Sequence, residues 1–211
     1  MSSMISRFVF ALAATVGALA LTAAARAEPA VGRDYALVTP AQTPESQGKV
    51  EVIEFFSYGC PHCNAFNPLV TEWAKKQPAN VAFVRVPVSL GRPEWGQLVR
   101  AYYALQSTGD LARLDTPLFD AIHKEHQRLF DETSLTAWAA AHGVPADKFK
   151  QAFNSFNVST RASHAEQLSR DYSVNGVPHL VVAGKYEVLG SNFDQVLNNA
   201  TQVVEMAAKQ K

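Results

Sequence analysis

Cys60 and Cys63 are the only two cysteines in 211 residues, and they stand three apart in Cys60-Pro61-His62-Cys63. That spacing admits three chemistries. A structural zinc site needs four ligands, usually a second cysteine or histidine pair at short spacing. The one other close pair, His123 and His126, lies far downstream, so no metal ligand set is assigned. A purely structural disulfide would close a four-residue loop, worth only about 2 kcal/mol in chain-entropy terms. Thiol–disulfide exchange is the third chemistry, and the neighbouring residues favour it.

Pro61 suits the first turn of a helix, where its missing N–H would have had no partner. Cys60 then sits at the helix mouth, facing free backbone N–H groups and the positive helix end, both of which stabilise a thiolate. His62 adds to this if it is protonated or donating; otherwise it is a solvated helix-start residue. By position, Cys60 is expected to be exposed and Cys63 covered. Cys60 is therefore the attacking sulfur and Cys63 the resolving one, closing back on Cys60 to release a bound partner. Stabilising the thiolate stabilises the reduced pair, and each pKa unit is equivalent to about 30 mV in a two-electron couple. The pair is expected to donate its disulfide.

Glu54 sits six residues before Cys60 in an apolar strand, where a lone carboxylate is costly to bury. A raised pKa would let it relay a proton to or from Cys63. The alternatives are an edge strand that turns it to water, or an ion pair with Arg85 that mutes the relay. In Gly176-Val177-Pro178, a proline begins a strand, a position tolerated at first residues or edges. A cis bond there would offer the Val177 N–H and C=O to an extended peptide. Spacing alone gives that geometry only the roughly 5% frequency of X–Pro bonds.

These residues need particular elements to hold them. Val50–Phe56 (VEVIEFF) has the length and composition of a strand. Behind the cysteines, Phe66, Leu69, Val70 and Trp73 fall at helical spacing, and Val81–Val88 is a second strand. One helix between two strands implies a parallel pair with a right-handed crossover. From Glu94 to Tyr172 only helical segments are evident: Trp95–Leu105, Leu118–His126, Leu135–His142, Asp147–Phe153 and a longer helix capped by Asn157. His179–Ala183 and Lys185–Leu189 read as a hairpin about Gly184, and a last helix carries Val196 through Ala207. Tyr35–Val38 is a short strand candidate. The order β-α-β, helical block, β-β-α describes an α/β fold with a helical insertion.

With 19 basic and 19 acidic residues, the chain lacks the basic excess of a nucleic-acid binder. Hydrophobic residues at 47% supply a packed core and argue against disorder. Phe8 to Leu21 is an apolar stretch of 14 residues behind Arg7, diluted only by Thr15 and Gly17, and Ala25-Arg26-Ala27 has the small-x-small form of a cleavage site. Residues 1–27 are expected to be a signal peptide, cut after Ala27. The alternative, an uncleaved anchor, falls short of the roughly 20 apolar residues needed to span a bilayer. Export would place the cysteines where disulfides persist.

Taken together, EFFSYGCPHC (Glu54–Cys63), Pro117-Leu118-Phe119, Asn154–Phe156, Gly176-Val177-Pro178 and Gly184–Tyr186 resemble the DsbA family of thiol:disulfide interchange proteins. The resemblance spans nearly all of the chain after residue 27. It implies a thioredoxin-like fold with an inserted all-helical domain, divided as 28–90, 91–173 and 174–211, the outer two forming the thioredoxin-like part. It implies that Cys60 is the nucleophile, Cys63 the resolving thiol, His62 the dipeptide histidine and Glu54 the buried acid. Val177 and Pro178 would be the cis-proline pair that meets substrate. Arg85 stands near the place of a family lysine, and His179 departs from the small residue expected after the proline. It further implies a periplasmic monomer that needs no cofactor, with reduced exported proteins as substrates and a DsbB-like, quinone-linked membrane protein as reoxidase. A disulfide isomerase or reductase is the rival enzyme. A peptide-binding chaperone with structural cysteines is the rival from another class.

Overall fold

A computed structural model describes residues 28–210. The expected leader and its cleavage site lie outside the described residues. Five strands, β1 (Tyr35–Leu37), β2 (Val50–Phe56), β3 (Val81–Pro87), β4 (His179–Val182) and β5 (Tyr186–Val188), form one sheet in the order β1-β5-β4-β2-β3. The helices are α1 (Pro61–Lys75), α2 (Pro93–Thr108), α3 (Leu111–His123), α4 (Glu132–Ala141), α5 (Ala146–Phe153), α6 (Phe156–Asp171) and α7 (Phe193–Ala208). Helices α2 to α6 all fall between β3 and β4, where the sequence places its helical block. The chain thus has the thioredoxin-like α/β architecture with a helical insertion.

β2 pairs parallel with β3 and antiparallel with β4. Covered on both edges and both faces, all seven of its residues are buried, which explains its unbroken run of β-branched and aromatic side chains. Val50 and Val52 pack beneath α1 and α7 with Phe66, Val70 and Val203. Ile53 and Phe55 pack toward the helical block with Val99, Leu105 and Val181. The β4–β5 hairpin turns through Ala183 and Gly184, both at positive φ. A Cβ on Gly184 would also run into the backbone carbonyl of Gln42, so that turn requires glycine.

Three expectations are corrected. Leu69 is 40% exposed; the buried face of α1 runs instead through Cys63, Phe66, Asn67, Val70 and Trp73. Helix α3 begins at Leu111 and ends at His123 rather than running from Leu118 to His126. It carries Pro117 inside it, forgoing one ladder bond because its apolar face, Leu114, Leu118 and Ile122, stays buried. Helix α6 is capped by Ser155, not Asn157: the Ser155 hydroxyl accepts the Val158 N–H.

Candidate active site at the mouth of α1

β2 ends at Phe56 in the middle of the sheet, and Ser57-Tyr58-Gly59 carries the chain into α1. Cys60 occupies the N-cap with extended backbone, and Pro61 follows at the first helical position. No acidic residue lies in the first turn. A Cβ on Gly59 would overlap the indole of Trp95 from α2, so glycine lets the helical block close over this turn. Both cysteines are thiols.

The two sulfurs differ sharply. The Cys60 thiol is lowered to about 5, chiefly because the Cys63 thiol donates to its sulfur. Burial opposes the shift, while the Cys63 and His62 N–H groups and the nearby His62 ring assist it. Burial pushes the Cys63 thiol far above its usual range, and the neighbouring Cys60 and Glu54 push it the same way. The expectation that Cys60 is exposed needs correction: it is 6% exposed against 0% for Cys63. The contrast survives in direction, but Val177 folds over Cys60, its carbonyl oxygen 3.4 Å from the sulfur. His62, beside it, is exposed.

The Val177–Pro178 bond is cis. Together with His62, Phe66, Leu180 and Phe193, these two residues line a groove of about 300 Å³ running away from Cys60. His179, next along, is largely buried, with its ring edge-on to Phe55 and its Nδ1 3.6 Å from Glu187.

Glu54 is fully buried and does not face water. Arg85 is its partner, Nε donating to Oε2 at 2.7 Å; the other carboxylate oxygen meets no donor among the described residues. Burial pushes the Glu54 carboxyl above its ordinary value, Arg85 pulls it back, and Asp115 raises it as a like charge. Two residues of this site, Tyr58 and Asp115, were not singled out from the sequence, and His123 was weighed there only as half of a metal-ligand pair. The Tyr58 hydroxyl donates to Asp115 at 2.5 Å, and its carbonyl accepts from His123 Nε2 at 2.7 Å. The aromatic residue in the turn was visible in the sequence, but nothing local marks the two α3 residues.

The DSBA-like thioredoxin domain profile matches residues 51–202. The thiol:disulfide interchange protein DsbA of Burkholderia cepacia is 36% identical over 211 residues, covering 100% of this chain and 97% of that one. That of Bordetella pertussis is 36% identical, covering 93% and 95% respectively. Among solved structures, a variant of Pseudomonas aeruginosa DsbA superposes with a TM-score of 0.82 at 34% identity, over 86% of this chain and all of the other. The DsbA oxidoreductase of Xylella fastidiosa gives 0.81 at 30% identity, over 87% of this chain and all of the other.

Proposed function

The chain belongs to the DSBA-like thioredoxin domain family and is a thiol:disulfide oxidoreductase, and from that premise we propose that it is a periplasmic dithiol oxidase. It hands its Cys60–Cys63 disulfide to reduced, newly exported proteins. The observation that carries this reading is the opposite displacement of the two thiols, Cys60 down to about 5 and Cys63 far up.

A substrate thiolate attacks the Cys60 sulfur; the Cys60–Cys63 bond breaks as a substrate–Cys60 bond forms. Cys63 leaves with the electron pair. Buried and unable to persist as a thiolate, it takes a proton, which the Glu54 carboxyl supplies through its unpartnered oxygen. A second substrate thiolate then attacks the substrate sulfur of the mixed disulfide and expels Cys60, an excellent leaving group because its thiolate is stable. Two electrons have passed from substrate to the cysteine pair. In reverse, Cys63 returns its proton to Glu54 and closes back on Cys60. His62 stabilises the Cys60 anion from outside. The Val177 backbone and Pro178 offer an extended substrate one strand's worth of pairing beside the sulfur.

Oxidising power is supported by the same asymmetry, since stabilising the Cys60 thiolate stabilises the reduced pair. The leader-like residues 1–27 support export, and no helix among the described residues is long and apolar enough to cross a membrane. A DsbB-like, quinone-linked membrane protein would take the electrons onward, and the protein would act as a monomer without a cofactor.

Equilibrating the Cys60–Cys63 pair with glutathione buffers and trapping the thiols by alkylation tests the reading. A pair that is fully reduced by a modest excess of reduced glutathione is the expected result. A pair that stays oxidised in a large excess would identify a structural disulfide or a reductant instead.

A further inference from the structure

Helix α3 belongs to the inserted block, yet one stripe of it, Asp115, Phe119 and His123, four residues apart, is aimed at the active-site turn. His123 fixes the Tyr58 carbonyl, Phe119 packs on the Tyr58 ring with centroids 4.6 Å apart, and Asp115 accepts the Tyr58 hydroxyl. Thr116, next to this stripe, accepts from Asn67 of α1. Asp115 does one thing more. Its Oδ2 accepts Arg85 Nη1 at 2.7 Å, while Arg85 Nε is committed to Glu54, also at 2.7 Å. One guanidinium thus serves two carboxylates, with side-chain exposures of 0% for Glu54, 13% for Arg85 and 17% for Asp115.

Among the described residues, the remaining groups acting on Glu54 supply no second cation. Among titratable groups, α2 contributes Tyr102, α1 contributes Cys63, and the turn contributes Tyr58. β4 sets Leu180 opposite Glu54, and α7 covers this face with Val203 and Val204. The second terminal nitrogen of Arg85 is buried without a partner among the described residues. The compensation that Glu54 receives is therefore what Asp115 leaves of a single positive charge.

We propose that Asp115 is a positioning residue for the disulfide chemistry: by drawing the Arg85 guanidinium toward α3 it keeps Glu54 incompletely paired, and so protonated at higher pH than a full ion pair would allow. The inference rests on the relay role given to Glu54 above for its consequence, but not for its test. It also makes the inserted block part of the redox site, since the group that sets the state of Glu54 is carried on α3. Removing the Asp115 charge leaves Arg85 wholly to Glu54, and a cation at this distance lowers a carboxyl by one or more pKa units.

The test is a carbon-13 titration of the Glu54 carboxyl by NMR, assigned with Glu54→Gln, in the wild type and in Asp115→Asn, Asp115→Ser and Asp115→Glu. The midpoint should fall by about one pH unit in both neutral variants and stay near wild type in Asp115→Glu. Asp115→Ser keeps an acceptor for Tyr58, so the pair of neutral variants separates charge from packing should Asp115→Asn fold poorly. A midpoint that is unchanged or raised in the neutral variants that fold overturns the inference. The pH profile of the Cys63 step, read from the reaction of the reduced protein with oxidised glutathione, is measured alongside. If the Glu54 midpoint falls while that profile holds, the shared guanidinium stands and the relay role of Glu54 falls.

Discussion

The Val177 carbonyl oxygen lies 3.4 Å from the Cys60 sulfur, joining the strand-start proline segment to the helix mouth. A thiol donates to that carbonyl; a thiolate cannot, so the contact favours the neutral form of Cys60. The donors on the other side, the Cys63 thiol and two first-turn N–H groups, outweigh it and hold Cys60 near 5. Ionisation therefore breaks the contact and leaves the Val177 carbonyl open to an N–H from outside.

Alkylation of the reduced protein should occur at Cys60 with a midpoint near 5 and spare Cys63 up to alkaline pH. Since the Cys63 thiol is the largest cause and the His62 ring the smallest, Cys63→Ala should raise the midpoint more than His62→Ala, and Cys63→Ser should restore part of it. Stability follows with a definite sign. Between pH 5 and the unfolded thiol value of about 8.5, the unfolded chain holds a proton that the native reduced protein has lost. The reduced protein should therefore gain stability relative to the oxidised one as pH rises through that window, and show no such gain below it. Paired melting curves in both redox states check this.

Arg85→Met should be among the most damaging single changes outside the cysteines. It strands two carboxylates, one fully buried and one 17% exposed, and breaking buried pairs typically costs about 3–5 kcal/mol. The Glu54 carboxyl, already raised by burial, would then hold its proton in the native state more tightly than in the unfolded chain. The loss should be absent below about pH 4 and grow as pH rises above it. Arg85→Lys keeps the charge without the fork and should fall between. Urea denaturation across that range measures both.

Gly59→Ala should loosen the junction between the two parts of the fold. The new methyl would occupy space held by the Trp95 indole, which is itself pinned under Arg92, whose guanidinium carbon is 4.3 Å from the ring centre. Overpacking of this kind costs roughly 1–3 kcal/mol, and adding Trp95→Leu should recover part of it. No recovery in the double variant would mean that the cost arises in the turn backbone instead.

What the sequence showed and what it hid divide along physical lines. β2 is buried on both faces and the cysteines follow it directly, so an apolar run, a glycine and a proline were enough to place the strand, the turn and the helix start. The Glu54–Arg85 pair was legible because neighbouring parallel strands bring those positions into register. Asp115 was not. It reaches Tyr58 and Arg85, and through Arg85 acts on Glu54, only through the way α3 is laid across the active-site turn, and no local pattern encodes that crossing. The start of α3 was misplaced because Pro117 reads as a boundary, although tertiary burial carries the helix through it. The closeness of Val177, which makes Cys60 far less exposed than its helix-mouth position suggests, is another long-range contact that no local pattern reveals.

His179, the departure from the residue expected after the proline, is the place where acid should be felt. Burial lowers its pKa, Glu187 opposes this only weakly from 3.6 Å, and its Nε2 is buried without a partner among the described residues. As pH falls below the unfolded value of about 6.5, the unfolded chain takes up a proton that the native imidazole refuses, so stability should decline there. In His179→Phe the ring can keep its edge contact with Phe55 while that titration disappears. Glu187, 40% exposed at its side chain, loses little. The variant should therefore show a shallower fall in unfolding free energy between about pH 7 and pH 5 than the wild type. Comparing slopes rather than absolute stabilities cancels any cost of fitting the larger ring. Parallel slopes for the two proteins would show that His179 titrates normally, and that its nitrogen has a partner in solution.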